Sequence, residues 1–167
     1  MTEETRNRLA VVDLPSGRVT RRIAMPADPE FVAASAAAVV VVSPGSHTVS
    51  VLDRSSLHAI ATLHNFTSPH IAEVSPDGTL AYVTDDGSGK LDVIRLADGR
   101  VVARIQVGAQ AHHLSISPDG RRIWIALGES ARTIVMVDCA NPLRPRVLGT
   151  FDPGFAVHDL SFTPDGR

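Results

Sequence analysis

The chain has 167 residues, 44% of them apolar and 20% charged, and a formal net charge of −2. That length suits one domain or part of a larger one, and the apolar fraction excludes a disordered chain. The near-neutral charge gives no basic footprint for nucleic acid or an anionic membrane. No apolar run reaches the roughly 18 residues of a membrane span, and a lone cysteine, Cys139, excludes an intrachain disulfide.

The start, Met1-Thr-Glu-Glu-Thr-Arg6, has no basic stretch followed by an apolar one, so no signal peptide is expected. Residues 7–25 read as the last two strands of a sheet, turned by Pro15-Ser16-Gly17. The next unit, 30–66, carries Ser35-Ala36-Ala37-Ala38 where later units have a Pro-Asp-Gly turn. The unit 70–108 is the most regular. A short strand ends at Ser75, Pro76-Asp77-Gly78 turns the chain, and Thr79 to Thr84 is rich in β-formers. Asp85 to Gly89 is a polar loop, Lys90 to Leu96 a third strand, and Asp98-Gly99 a hairpin signal. Arg100 to Val107 follows as an outer strand whose arginines suit an edge. The unit 112–152 repeats the plan with a longer last connector through Cys139 and Pro142, and 158–167 reads as the first strand of a further unit. No segment of ten or more residues keeps a helical period. With few aromatics, the core has to be Val, Ile, Leu and Ala.

Self-similarity fixes the architecture. Ser75-Pro76-Asp77-Gly78 returns as Ser117-Pro118-Asp119-Gly120 and as Thr163-Pro164-Asp165-Gly166. A second marker runs Val11-Val12-Asp13, Val51-Leu52-Asp53, Val93-Ile94-Arg95 and Met136-Val137-Asp138. A period of about 40–45 residues is that of a four-stranded propeller blade. The expected fold is therefore all-β, a β-propeller with about three and a half to four blades present. Propellers close with about four to eight blades, and an open stack leaves apolar faces wet. The chain is thus expected to be part of a longer propeller whose remaining blades are its partners. Two copies closing one ring is the competing arrangement, disfavoured because the ends divide a blade unevenly.

The order Ser-Pro-Asp-Gly, then Leu80-Ala81-Tyr82-Val83-Thr84, then a strand ending Val-Leu-Asp resembles the YVTN-type repeat of YncE-like propellers, with Asp85 where that motif has Asn. Ile123-Trp124-Ile125-Ala126 and Val39-Val40-Val41-Val42 occupy the same place in neighbouring units. The resemblance implies a seven-bladed propeller, periplasmic or secreted if sequence precedes Met1. It implies no single activity, since such proteins include binding proteins, surface-layer proteins and lactonase-like enzymes.

One constellation suggests chemistry. His70, His112 and His158 each lie six residues before the proline of a turn, and Glu30 holds the matching place in the degenerate unit. The first strand of a blade is innermost, so these groups are expected around one channel mouth, with His113 and Asp159 beside them. Neutral imidazoles suit a divalent ion, which makes His70, His112 and His158 possible metal ligands. Otherwise no cofactor is expected. A histidine repeated at blade starts also has a structural use, bonding a neighbouring blade's backbone. The reading adopted is a non-catalytic binding or scaffold propeller, its protein or small-molecule ligand docking at the mouth formed by Glu30, His70, His112, His113, His158 and Asp159. The alternative is an enzyme, a lactonase-like hydrolase or a metal- or haem-dependent oxidoreductase using the same histidines. Weaker features are read as structural: the Asp85 to Gly89 loop, Gly128-Glu129-Ser130, Cys139, the arginines at 6, 8, 18, 21 and 22, and His47, His58 and His64.

Overall fold

A computed structural model describes residues 1–130 and 132–166. Four antiparallel sheets follow one another along the chain. The first holds β1 (Thr2–Glu3), β2 (Arg8–Asp13) and β3 (Arg18–Ala24), and the second β4 (Phe31–Ala34), β5 (Ala38–Ser43), β6 (Thr48–Asp53) and β7 (Ala59–Leu63). The third holds β8 (Pro69–Val74), β9 (Leu80–Asp85), β10 (Lys90–Arg95) and β11 (Arg100–Gln106), and the fourth β12 (Ala111–Ile116), β13 (Arg122–Leu127), β14 (Ile134–Asp138) and β15 (Arg146–Phe151). Each is a simple meander, and β8 packs against both β4 and β12, so the first strands form an inner wall. The molecule is an all-β propeller segment.

Two details depart from the sequence reading. The first sheet gains β1, which pairs with β2 through Thr2 opposite Leu9 and Glu3 opposite Arg8. The strand expected over 158–167 is not formed in residues 158–166, and Arg167 lies outside the described residues. Among the described residues no strand pairs with it along this stretch. It packs instead against the fourth sheet, where Val157 and Leu160 join Ala126, Ile134, Trp124 and Phe151. Helical structure among the described residues is limited to single 3-10 turns at Glu4–Arg6 and Pro44–Ser46, and no helix is long and apolar enough to cross a membrane.

Burial follows strand position. The middle strands of the second and third sheets are buried because each of these sheets has a neighbour on both sides: β5 is buried throughout, and β10 buries Leu91, Val93 and Ile94 together with Asp92. The outermost strands β3 and β11 keep their arginines at the edge. The core lies between blades. Val40, Val42, Val49 and Val51 of the second sheet meet Ala81, Val83 and Ile94 of the third. Tyr82, Leu91 and Val93 meet Leu114, Ile123, Ile125 and Val135 of the fourth. Each such side chain contributes about 1.5–3 kcal/mol on burial, so the apolar faces hold the stack together. The recurring turn is held in the third and fourth sheets by one bond set. Ser75 Oγ donates to Asp77, Leu80 N–H donates to Ser75 Oγ at 3.0 Å, and Gly78 takes φ 73°. Ser117, Asp119, Arg122 and Gly120 (φ 70°) repeat it. Glycine occupies that corner because a side chain disfavours positive φ.

Candidate functional site

The histidines stand on matching irregularities. In the third sheet Pro69 faces Asp85 and Ala72 faces Val83, so His70 and Ile71 together oppose Thr84. In the fourth, Ala111 faces Leu127 and Leu114 faces Ile125, so His112 and His113 together oppose Ala126. These are β-bulges, which free a residue from regular pairing and re-aim its side chain. The degenerate second sheet has none in this place: β4 pairs regularly from Phe31, and Glu30 precedes it with its N–H on Val42 O at 2.9 Å.

The result is a packed cluster at one end of the inner wall. The rings of His70 and His112 stack with centroids 3.8 Å apart and planes 13° apart. His113 lies 5.2 Å from His70 and 4.9 Å from His112, centroid to centroid, and His158 lies 4.4 Å from His113. Carboxylates surround the rings. Glu30 Oε2 is 3.7 Å from His70 Nδ1, Asp86 Oδ2 is 3.5 Å from His112 Nδ1, and Asp159 Oδ1 is 2.6 Å from His113 Nδ1. The second Asp159 oxygen lies 3.2 Å from His158 Nδ1. The trio His70, His112 and His158 does not itself close into a ligand set. Among the described residues, ligand atoms within 4.8 Å of one another belong to His70, His112 and His113, and to His113, His158 and Asp159.

Burial sets the charge states. It lowers His70 to about 4, helped by the adjacent His112 and His113, so the ring is neutral at pH 7. Burial also lowers His113, against the pull of Asp159. Hydrogen bonding from His158 holds Asp159 below the usual carboxylate range. Glu30 is raised by burial and by the carboxylates of Asp28 and Glu4.

Four supporting residues, Thr84, Asp85, Asp86 and Gly87, escaped the sequence reading as parts of the site. Thr84, fully buried, accepts from Ile71 N–H at 3.2 Å and donates to His112 O at 2.6 Å, tying one bulge to the next blade. Asp85 accepts from Thr67 N–H at 2.9 Å, Ser68 N–H at 2.7 Å and Ser88 Oγ at 2.7 Å, which fixes the connector leading to His70. The oxygen-rich loop thus spends its first carboxylate on protein donors. Gly87 lies under the same connector, where a Cβ would come within 2.8 Å of Thr67. Asp86 reaches His112, and only the blade-to-blade register reveals it. The other features read as structural stay away from the cluster. Cys139 is buried and its thiol is pushed up to about 12 by burial. Arg8 and Arg22 pair with Glu3, Arg21 donates to Ser56 O at 2.6 Å, and His47 Nδ1 is 2.6 Å from Thr67 O.

Fold and site together define a β-propeller segment with a histidine cluster at one end of its first strands. Comparison with known proteins gives the family. The cytochrome D1 heme domain model matches residues 33–141, more than half of the chain, and the chain belongs to that family. It is similar to dihydro-heme d1 dehydrogenase of Pseudomonas aeruginosa, 32% identical over 105 residues, 62% of this chain and 21% of that protein. It is also similar to the mouse (Mus musculus) periodic tryptophan protein 2 homolog, 32% identical over 96 residues, 55% of this chain and 10% of that one. Among solved structures, Kuenenia stuttgartiensis hydrazine synthase superposes with a TM-score of 0.84 at 25% identity, over 99% of this chain and 49% of that one. The chain therefore spans about a fifth and a tenth of these two curated relatives' length and about half of the solved chain.

Proposed function

We propose that this chain supplies the histidine-bearing wall of a propeller mouth that binds a haem-type tetrapyrrole, with His113 as the imidazole that would hold the iron and His158 as its neighbour. The observation that carries this reading is the shared carboxylate: Asp159 faces the Nδ1 atoms of both rings, at 2.6 and 3.2 Å. A carboxylate at Nδ1 takes the N–H there and leaves Nε2 with its lone pair, the arrangement usual for a metal-bound imidazole. His113 is neutral at pH 7 because burial lowers it, so that lone pair is available without releasing a proton. His158 is half-exposed, which keeps the face open to a flat ligand. Bound iron would supply one-electron chemistry and a site for a small ligand. The chain's own residues position the imidazole, withhold its protonation and wall one side of the mouth.

The description of the family as a heme domain, and the name of the Pseudomonas relative, favour this over docking of a protein or a lactone at the same residues. The role is binding; whether turnover follows depends on the rest of the propeller, whose further blades belong to the proposal. The YVTN-like stretch Tyr82-Val83-Thr84 enters it through Thr84, which ties the two bulges. The test is the visible spectrum of the intact protein titrated with haemin. A stoichiometric Soret shift that is lost in His113→Ala, and blue-shifted or weakened in Asp159→Asn, is expected. An unchanged Soret band in both His113→Ala and His158→Ala overturns the reading.

A further inference from the structure

The first and fourth sheets carry complementary, uncovered faces. β1 is the counterpart of a blade's second strand: a 3-10 turn and a left-handed residue, Asn7, join it to β2, as Pro44–Ser46 and His47 join β5 to β6. The first sheet therefore has a second, third and fourth strand and, among the described residues, no inner one. Residues 158–166 have the opposite surplus, an inner-strand sequence and turn with no sheet of their own. They already follow the fourth sheet as a fifth inner strand would. His158 lies 4.4 Å from His113, centroid to centroid, and a Cβ at Gly166 would lie 4.0 Å from Pro118, as one at Gly120 would lie 3.2 Å from Pro76. With this segment counted, the fifteen strands fill four blades, and the uneven division that disfavoured two copies is gone.

The outward face of the first sheet repeats a face that is buried elsewhere. Val12 pairs with Val19 and Ala10 with Arg22, across the same bulge by which Ile94 pairs with Val101 and Asp92 with Arg104. In the third sheet this face packs on the second. Ile94 is fully buried there, and Arg104 reaches across the seam to Asn65 O at 3.2 Å, its guanidinium 5.7 Å from the centre of the Phe66 ring. In the first sheet Val19 is 38% exposed, and Arg22 shares Glu3 with Arg8, which leaves the face one positive charge in excess.

The matching seat lies on the fourth sheet. Trp124 pairs with Met136 as Val40 pairs with Val51; the valines are fully buried against the third sheet, whereas Trp124 and Met136 are only partly covered. Asn65 lies five residues before His70, and Pro153 lies five before His158. Beside Pro153 stand Phe155, 64% exposed, and Asp152, an exposed carboxylate whose contact with Arg132 is long at 3.4 Å. A carbonyl, an aromatic ring and a carboxylate are what an arginine at this seam takes up.

From these faces we infer that the occupant is a second copy of this chain. Residues 158–166 of each copy supply the inner strand to the other's first sheet, and Arg22 of each docks on Asp152 and the Pro153 to Phe155 connector of the other. A head-to-tail contact closes into a ring when its rotation divides a full turn. Four blades from each copy make about eight, the upper end of closed propellers, so each copy spans half a turn and two identical seams complete the ring. This assembly does not rest on the tetrapyrrole reading.

The test is sedimentation velocity of the intact protein at micromolar concentration, without haemin. One species of twice the 17.7 kDa chain mass is expected. Arg22→Asp and Asp152→Arg should each weaken the dimer by about 100-fold or more, since like charges then meet at both seams. An equal mixture of the two variants should restore it, because one seam regains an opposite pair and the other is unaltered; that rescue also shows that both variants fold. A monomer, which leaves these faces to blades of another chain, overturns the inference, as does an open-ended series of larger species. So does a dimer that either variant leaves unweakened, or a mixture no tighter than its components. A haemin titration that fails while the dimer stands overturns only the tetrapyrrole reading.

Discussion

Replacing Thr84 by valine tests how the inner wall holds its histidines. Valine fills the same volume, so no cavity opens and only the hydroxyl is lost. Two backbone groups then lose partners: Ile71 N–H, bonded at 3.2 Å, and His112 C=O, bonded at 2.6 Å. Thr84 is fully buried, so no water replaces it. An unsatisfied buried group costs about 1–3 kcal/mol. A carbonyl with a second lone pair loses less, which puts the pair at about 2–4 kcal/mol. The fold should survive, because the matching bulge of the fourth sheet stands opposite Ala126, which has no hydroxyl. Chemical denaturation of the intact protein measures the loss, and amide exchange at Ile71 locates it. A change under about 0.5 kcal/mol, the size of a neutral surface substitution, with unaltered Ile71 exchange, would refute the argument.

His70 makes stability pH-dependent in a defined window. Its folded pKa, about 4, lies below its ordinary value of 6.5, so the unfolded chain binds the extra proton first and stability falls as pH drops from about 6.5 to about 4. Around the ring are Glu30, Asp86, His112, His113 and His158. In His70→Gln, the difference in denaturation midpoint between pH 7 and pH 4.5 should shrink, and an undiminished difference would contradict the assignment. Cys139, buried and with its thiol pushed up to about 12, should react with a disulfide reagent only once the protein is unfolded, so rapid labelling of the folded protein would contradict its burial.

The repeat made the sheets legible because turn chemistry is local. Asp77 and Asp119 hold their corners with bonds to residues two positions away. The convergence of the histidines was legible for a similar reason: equal spacing before equal turns puts His70 and His112 at one level. The orienting groups were not legible. Asp86 meets His112, and Thr84 meets the His112 carbonyl, only through the packing of one blade on the next, which no spacing within a repeat encodes. The bulges were also hidden, since His70 to Ser75 reads as an ordinary short alternating strand. The tail beyond Val157 misled for a physical reason. Its sequence has the form of an inner strand, but a strand exists only when a second one pairs with it.

The account turns on His113: burial keeps the ring neutral against the pull of Asp159, whose carboxylate holds the proton on Nδ1 and leaves Nε2 free. Long-range proton–nitrogen NMR of the intact protein, with ¹⁵N-labelled histidine, observes this directly. At pH 7 His113 should appear as the Nδ1–H tautomer with an unprotonated Nε2, and Asp159→Asn should disturb it. An Nε2–H tautomer or an imidazolium at His113 would contradict the account.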